Sequence, residues 1–236
     1  MPSDKARLYV ALYVRGGGPK MPGQEDNYHW AFLVAPKNEN KDSTGTRYHA
    51  KNAPGQSTWV FEEKSTSMTA TNMILVRVMI GKVNDPQALA AKLRQGVLVV
   101  RMEDEAIQSA YSVGGGKSIK KIFKYKFELL RRILGSSSLP SSTPSSLYPL
   151  PILVPVPFIN DEPGWNCVTW LQSALALIAQ DTSVMETSTL NWETAKAAAM
   201  QYCEKKTGQG RFSGEGDFDT SKVPTFDLLQ GKETIK

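Results

Sequence analysis

Alternation dominates the first third of the chain. Residues 7–14 and 28–35 are runs of Val, Leu, Tyr and other bulky side chains, the composition of strands. Within the second run, Tyr28, Trp30, Phe32 and Val34 form one large apolar face, which leaves His29 and Ala31 on the other. Further strand-like runs follow at 46–51, 59–63, 73–80 and 97–102. Gly16-Gly17-Gly18-Pro19, Pro22-Gly23 and the polar stretch 37–45 mark the turns between them. The period then changes. Asp85 and Pro86 signal a helix running to about residue 95. Val168, Leu171, Leu175 and Ile178 make a helical stripe that begins near Asn166, and a further helix spans about 191–205. Strands precede helices rather than alternating with them, so the order predicts an α+β fold with an antiparallel sheet packed on helices.

At 236 residues the chain is long enough for one domain with its own core, and we expect a single domain over 1–236. Hydrophobic residues make up 41% and charged residues 22%, which excludes wholesale disorder. Residues 136–157 hold seven Ser and six Pro, so 136–163 reads as an extended Ser/Pro-rich connector inserted into the fold. The Gly-rich, polar stretch 208–236 reads as a poorly ordered tail, anchored only at Phe226 and Leu228. No run reaches the length of a membrane helix, and residues 8–14 are too short for a signal peptide, so a cytoplasmic location is expected.

The positive charge is concentrated. Residues 117–132 carry +6, more than the net +5 of the whole chain, with Lys117, Lys120, Lys121 and Lys124 in the leading half. Ile119, Ile122, Phe123, Phe127, Leu130 and Leu134 recur at helical spacing in the same region. A basic amphipathic helix of this kind suits an anionic membrane or an acidic protein surface, or simply packs with its Lys/Arg face in water. Phe123, Tyr125 and Phe127 are spaced for a helix face and not for a base-stacking platform, which argues against nucleic acid. Gly114-Gly115-Gly116-Lys117-Ser118 is not a phosphate-binding loop, because Tyr111 stands where that motif needs glycine.

Imidazole and thiol chemistry have few candidates: His29, His49, Cys167 and Cys203 are all the chain contains. Without paired-ligand spacing they offer no zinc site, and no metal or other cofactor is expected. Asn166 is a good helix N-cap and places Cys167 in the first turn, where unpaired N–H groups favour a thiolate and an oxyanion. His29 and His49 lie on neighbouring strands and share a face if those strands pair in even register. Cys203 follows Tyr202 on an Ala-rich helix without polar company and reads as a packing residue.

Tyr28-His29-Trp30-Ala31-Phe32-Leu33-Val34, Tyr48-His49-Ala50 and Asn166-Cys167-Val168-Thr169-Trp170-Leu171 together resemble the lecithin:retinol acyltransferase (LRAT) type of circularly permuted papain-like enzymes. The NlpC-type peptidases, the PPPDE isopeptidases and uncharacterised fungal proteins with the same His…Asn-Cys order are similar. The chain departs from that pattern in a longer His29–His49 hairpin and a far longer span before Cys167. The resemblance implies a permuted papain-like fold in which Cys167 is the nucleophile, His29 the base and His49 its polar partner. Trp165, Asn166 and Trp30 become candidates for contacting the substrate or its oxyanion. The expected activity is a thiol hydrolase or acyltransferase acting through a thioester on a small-molecule, lipid or peptide acyl substrate. The alternative is a non-catalytic module on the same scaffold that uses the basic helix to bind its partner.

Overall fold

The computed structural model describes residues 4–52, 58–94, 159–160, 164–214 and 217–236. The chain divides into two units, Met1–Arg101 with Pro157–Lys236, and Met102–Val156. All of the second unit lies outside the described residues. So do the strand predicted at 97–102, the basic helix with Lys117, Lys120, Lys121 and Lys124, and nearly all of the Ser/Pro connector.

The first unit is α+β. Its strands are β1 (Arg7–Val14), β2 (Tyr28–Ala35), β3 (Thr44–Asn52), β4 (Trp59–Ser67), β5 (Ile74–Val83), β6 (Ile159–Asn160), β7 (Met185–Ser188), β8 (Thr225–Asp227) and β9 (Lys232–Ile235). They form one sheet in the order β6-β4-β3-β2-β1-β5-β8-β9, with β7 also paired to β5. The early strands do not run as a simple meander, since β5 returns to pair with β1 and leaves β1 central. The sheet is mixed rather than antiparallel throughout, because β8 lies parallel to β5.

The helices are α1 (residues 86–94), α2 (Cys167–Gln180) and α3 (Trp192–Gly208). Asp85 caps α1 by accepting from the N–H groups of Gln87 and Ala88. All three helices pack on one face of the sheet. Leu8, Val10 and Leu12 of β1, Trp30 and Phe32 of β2, and Val76, Val78 and Ile80 of β5 meet Leu89, Leu93, Leu171, Leu175, Ile178 and Cys203 there. The alternate residues Tyr9, Ala11, Tyr13, Ala31 and Leu33 make a smaller cluster on the opposite face with Met68 and Met79. Period two has thus sorted the residues of β1 and β2 between two environments.

The stretch expected to be a poorly ordered tail instead extends the sheet with β8 and β9. Buried polar contacts fix it. Thr225 accepts from the Arg77 guanidinium at 2.8 Å, and Glu233 accepts from the Tyr202 hydroxyl at 2.6 Å while pairing with the buried Lys206. Lone pairs and charges held this way anchor strands too short and polar to show a hydrophobic period. Among the described residues no helix is long and apolar enough to cross a membrane.

Candidate active site

The β2–β3 ladder joins Phe32 to Tyr48, Leu33 to Arg47 and Val34 to Thr46, and goes no further toward the start of β2. That register is even. It sets Ala31 opposite His49, and His29 diagonal to it on the same face, as the sequence expects. The rings meet: His29 Nε2 lies 2.6 Å from His49 Nδ1. His49 is buried, and its Nε2 lies 2.8 Å from Glu62 Oε2. Glu62 stands directly across from His49 in the β3–β4 ladder. Its other oxygen accepts from Lys51, and Arg47 lies 3.4 Å away.

This chain of contacts dictates the tautomers. Burial pushes the Glu62 carboxyl up, but hydrogen bonds from Lys51 and His49 outweigh it and hold the group at about 2, so it is ionised at neutral pH. A carboxylate only accepts, so His49 must present Nε2–H to it. The His49 Nδ1 lone pair then accepts from His29 Nε2–H, and the proton-free nitrogen of His29 is Nδ1. Burial, with the neighbouring His49, holds His29 at about 3, and burial likewise holds His49 at about 4, so both rings are neutral at pH 7. Among the described residues His29 Nδ1 has no hydrogen-bond partner. Two hydrogen-bonded rings and a carboxylate therefore present one unprotonated imidazole nitrogen.

Cys167 opens α2. The Asn166 side chain accepts from the N–H groups of Val168 and Thr169, and Thr169 Oγ1 accepts from the Asn166 N–H at 2.8 Å, a reciprocal capping box. Gly164 enters this turn at φ 88°, a left-handed conformation that suits glycine. The first turn docks beside the part of β2 that β3 leaves unpaired. There Cys167 Sγ donates to the Tyr28 carbonyl at 3.9 Å, and the Trp30 N–H points back at the sulfur. The thiol is thus lodged against the backbone on both sides of His29.

Sulfur and imidazole are neighbours through that backbone, but they are not hydrogen-bonded to each other. Cys167 belongs to the helix-covered core, whereas His29 has the parity of Ala31 and approaches Tyr13 on the other face, with ring centroids 6.1 Å apart. Cys167 is fully buried, and burial raises its thiol pKa despite the N–H of Trp30 and the charge of Arg15. The helix-terminus effect expected to favour a thiolate is present but outweighed by desolvation.

The substrate and oxyanion candidates divide. Trp30 is fully buried, and its indole N–H is committed to the Glu25 carbonyl at 2.7 Å, so it is not available to an oxyanion. The Asn166 oxygen is committed to the cap, and its Nδ2 reaches Met21 Sδ at 3.5 Å. Trp165 is half-buried and lies edge-on to Trp59, above which the Arg15 guanidinium sits 5.6 Å from the ring centre. Cys203 is buried on α3, its thiol pushed up to about 11 chiefly by burial. Glu62 escaped the sequence reading. Its signal was the β3–β4 register, which no single strand contains. Among the described residues no cluster of three or more His, Cys, Asp or Glu side chains is arranged to hold a metal ion.

Comparison with known proteins gives one family and no experimental neighbour. No curated protein and no solved structure matches the chain. A model described as "Family of unknown function (DUF6914)" matches residues 5–113 and 150–235. The matched stretches include His29, His49, Glu62 and Cys167 and omit residues 114–149, where the basic helix was expected. The chain belongs to the DUF6914 family.

Proposed function

We propose that this chain is a thiol hydrolase or acyltransferase of permuted papain-like fold. The observation that carries the reading is the Glu62–His49–His29 series, which leaves a proton-free His29 Nδ1 on the residue between the Tyr28 carbonyl and the Trp30 N–H that the Cys167 sulfur contacts. Cys167 is the nucleophile, His29 the base, and His49 with Glu62 position that base and fix its tautomer.

In the forward step the sulfur bonds to the carbonyl carbon of an amide or ester. The thiol proton passes to His29 Nδ1 and then to the leaving amine or alcohol as its bond to carbon breaks. Water or an acceptor amine next attacks the thioester and gives a proton to His29 Nδ1, which passes it to the Cys167 sulfur as the carbon–sulfur bond breaks. The resting pair is neutral thiol and neutral imidazole, so attack and proton transfer are concerted rather than preceded by an ion pair. Substrate entry must bring the Cys167 thiol and the His29 ring to a common side of β2. Small-molecule, lipid and peptide acyl donors all suit this chemistry. A non-catalytic binding module on the same scaffold is the second reading, and the complete burial of Cys167 favours it.

Incubating the full chain with an activated thioester acyl donor and mapping adducts by mass spectrometry separates the two. An acyl group is expected on Cys167, absent in Cys167→Ser and strongly reduced in His29→Ala, with Cys203 unmodified. Cys167 left free, or acylated equally in a folded His29→Ala variant, rules out the catalytic reading.

A further inference from the structure

A second polar site lies on the same face of the sheet as His29, at its opposite end. Arg7 begins β1 and stands directly across from Lys82 of β5. Like charges in facing positions repel, so this pairing is unfavourable without a counter-ion. A β-bulge makes it happen. Leu8 pairs with Gly81 and Tyr9 with Met79, so Ile80 is the extra residue and the parity of β5 shifts there. Val78 and Ile80 face the helices, and an unbroken strand would send Lys82 the same way. The bulge turns Lys82 instead to the face of Tyr9 and Met79, beside Arg7.

Arg7, Lys82 and Lys37 line one pocket of about 200 Å³ with Tyr9 and Asp227. Among the described residues, none of the three cations has an ion-pair partner. Arg7 donates one nitrogen to the Lys5 carbonyl at 2.7 Å. Asp227 in the lining and Glu39, whose charge reaches Tyr9, are already engaged. Asp227 accepts from the backbone and side chain of Gln230 at 3.0 and 2.8 Å, and Glu39 pairs with Arg77 at 2.9 Å. With Asp227 counted, the pocket keeps an excess of two positive charges.

Tyr9 supplies an independent indication. The residue is 95% buried, its ring lies 4.7 Å under the Arg77 guanidinium, and its hydroxyl oxygen keeps access to solvent while lacking a hydrogen-bond partner among the described residues. A hydroxyl that lines the pocket without a protein partner is free to donate to a bound ligand. Burial pushes its pKa up to about 12, so it remains a donor at every physiological pH.

From this convergence we infer that the pocket formed by Arg7, Lys37, Lys82 and Tyr9 binds a small phosphate dianion. The excess charge of two matches the hydrogen phosphate dianion, or a phosphate monoester above its second ionisation at about pH 6. Three cations from three different segments and one hydroxyl suit the several oxygens of a tetrahedral group, each taking a separate donor. A planar carboxylate calls for a two-pronged guanidinium, and Arg7 has already committed one of its terminal nitrogens. The bound anion also removes the Arg7–Lys82 repulsion, so occupancy stabilises the fold. The site lies away from His29 and Cys167 and does not depend on the catalytic reading.

Calorimetric titration of the full chain at low ionic strength and pH 7.5 tests this, with inorganic phosphate in one arm and glycerol 3-phosphate in the other. Saturable binding is expected, weakened about tenfold or more by Arg7→Gln or Lys82→Gln and less by Tyr9→Phe. Lys64→Gln, an exposed lysine on β4, is expected to leave it unchanged. Tighter binding of the monoester assigns the site to esterified phosphate, and tighter binding of the free ion assigns it to inorganic phosphate. A parallel thermal melt is expected to show phosphate raising the midpoint of the wild type and not that of Lys82→Gln. Absence of saturable binding of either probe up to about 10 mM, or equal binding by wild type and the Arg7 and Lys82 variants, overturns the inference.

Discussion

On the helix-covered side of the sheet, Leu8, Val10, Leu12, Trp30, Phe32 and Val78 meet α1, α2 and α3 in a continuous apolar layer. On the other side, Tyr9, Ala11, Tyr13, Ala31 and Leu33 form a narrower apolar strip with polar groups at both ends. His29, His49 and Glu62 occupy the end near Tyr13, and Arg7, Lys37 and Lys82 the end near Tyr9. Tyr13 carries the Arg47 guanidinium 5.4 Å from its ring centre and Tyr9 carries that of Arg77 at 4.7 Å, so cations cap the strip at both ends. The same strands thus bury one set of alternate residues against the helices and carry polar groups at both ends of the other. Cys167 is the exception. It belongs to the stabilising side, yet its sulfur contacts the backbone of the strand that carries His29.

The largest effect that sharpens this contrast is expected in the helix-covered layer. Leu171→Ala empties a fully buried site between α2 and the sheet and is expected to cost about 2–5 kcal/mol in urea unfolding. Lys64→Ala on exposed β4 is expected to change stability by less than about 0.5 kcal/mol. Equal losses at the two positions would contradict the assignment of the core to one face.

The face that carries the histidines is expected to govern acid stability. The folded-state values of His29 and His49 are depressed from 6.5 to about 3 and about 4. Between those values and 6.5 the unfolded chain binds protons that the folded chain refuses, so stability falls as pH falls through that window. Each histidine contributes a slope of up to about 1.4 kcal/mol per pH unit. Glu62, depressed from 4.5 to about 2, adds its own loss below about pH 4.5. Urea midpoints measured from pH 8 to pH 3 check this, and Glu62→Gln is expected to remove the lowest part of the curve. A midpoint that stays level from pH 7 to pH 4 contradicts the buried neutral pair.

A smaller loss than that of the core leucine is expected where the two sides meet. Asn166→Ala removes the acceptor for two backbone N–H groups and is expected to cost about 1 kcal/mol in the same unfolding assay. Loss of the cap is also expected to loosen the first turn of α2, which amide exchange at Val168 and Thr169 reports. Unchanged protection there would mean that the cap does not hold the cysteine turn.

Local pattern made the strands β1 and β2, the caps of α1 and α2 and the shared face of His29 and His49 legible in the chain, because each depends on neighbouring residues. Pairing and burial were not legible. Glu62 joins the site through a cross-strand register that only a folded sheet defines. Lys82 reaches the face of Tyr9 and Met79 through a bulge that inverts its side. The two terminal strands are held by Lys206, Tyr202 and Arg77, side chains distant in sequence whose polar character gave no period. The Cys167 thiol misled in the other direction. Its helix position argues for a low pKa, but depth of burial is a property of the whole fold and reverses the direction.

The protonation pattern of His29 is the most direct test of the account. In a chain labelled with ¹⁵N in its imidazoles, long-range proton–nitrogen correlation at pH 7 is expected to show two neutral rings, with His29 protonated on Nε2 and bare at Nδ1. Glu62→Gln is expected to disturb that tautomer without unfolding the sheet. A cationic His29 at pH 7, or a proton resident on its Nδ1, contradicts the account.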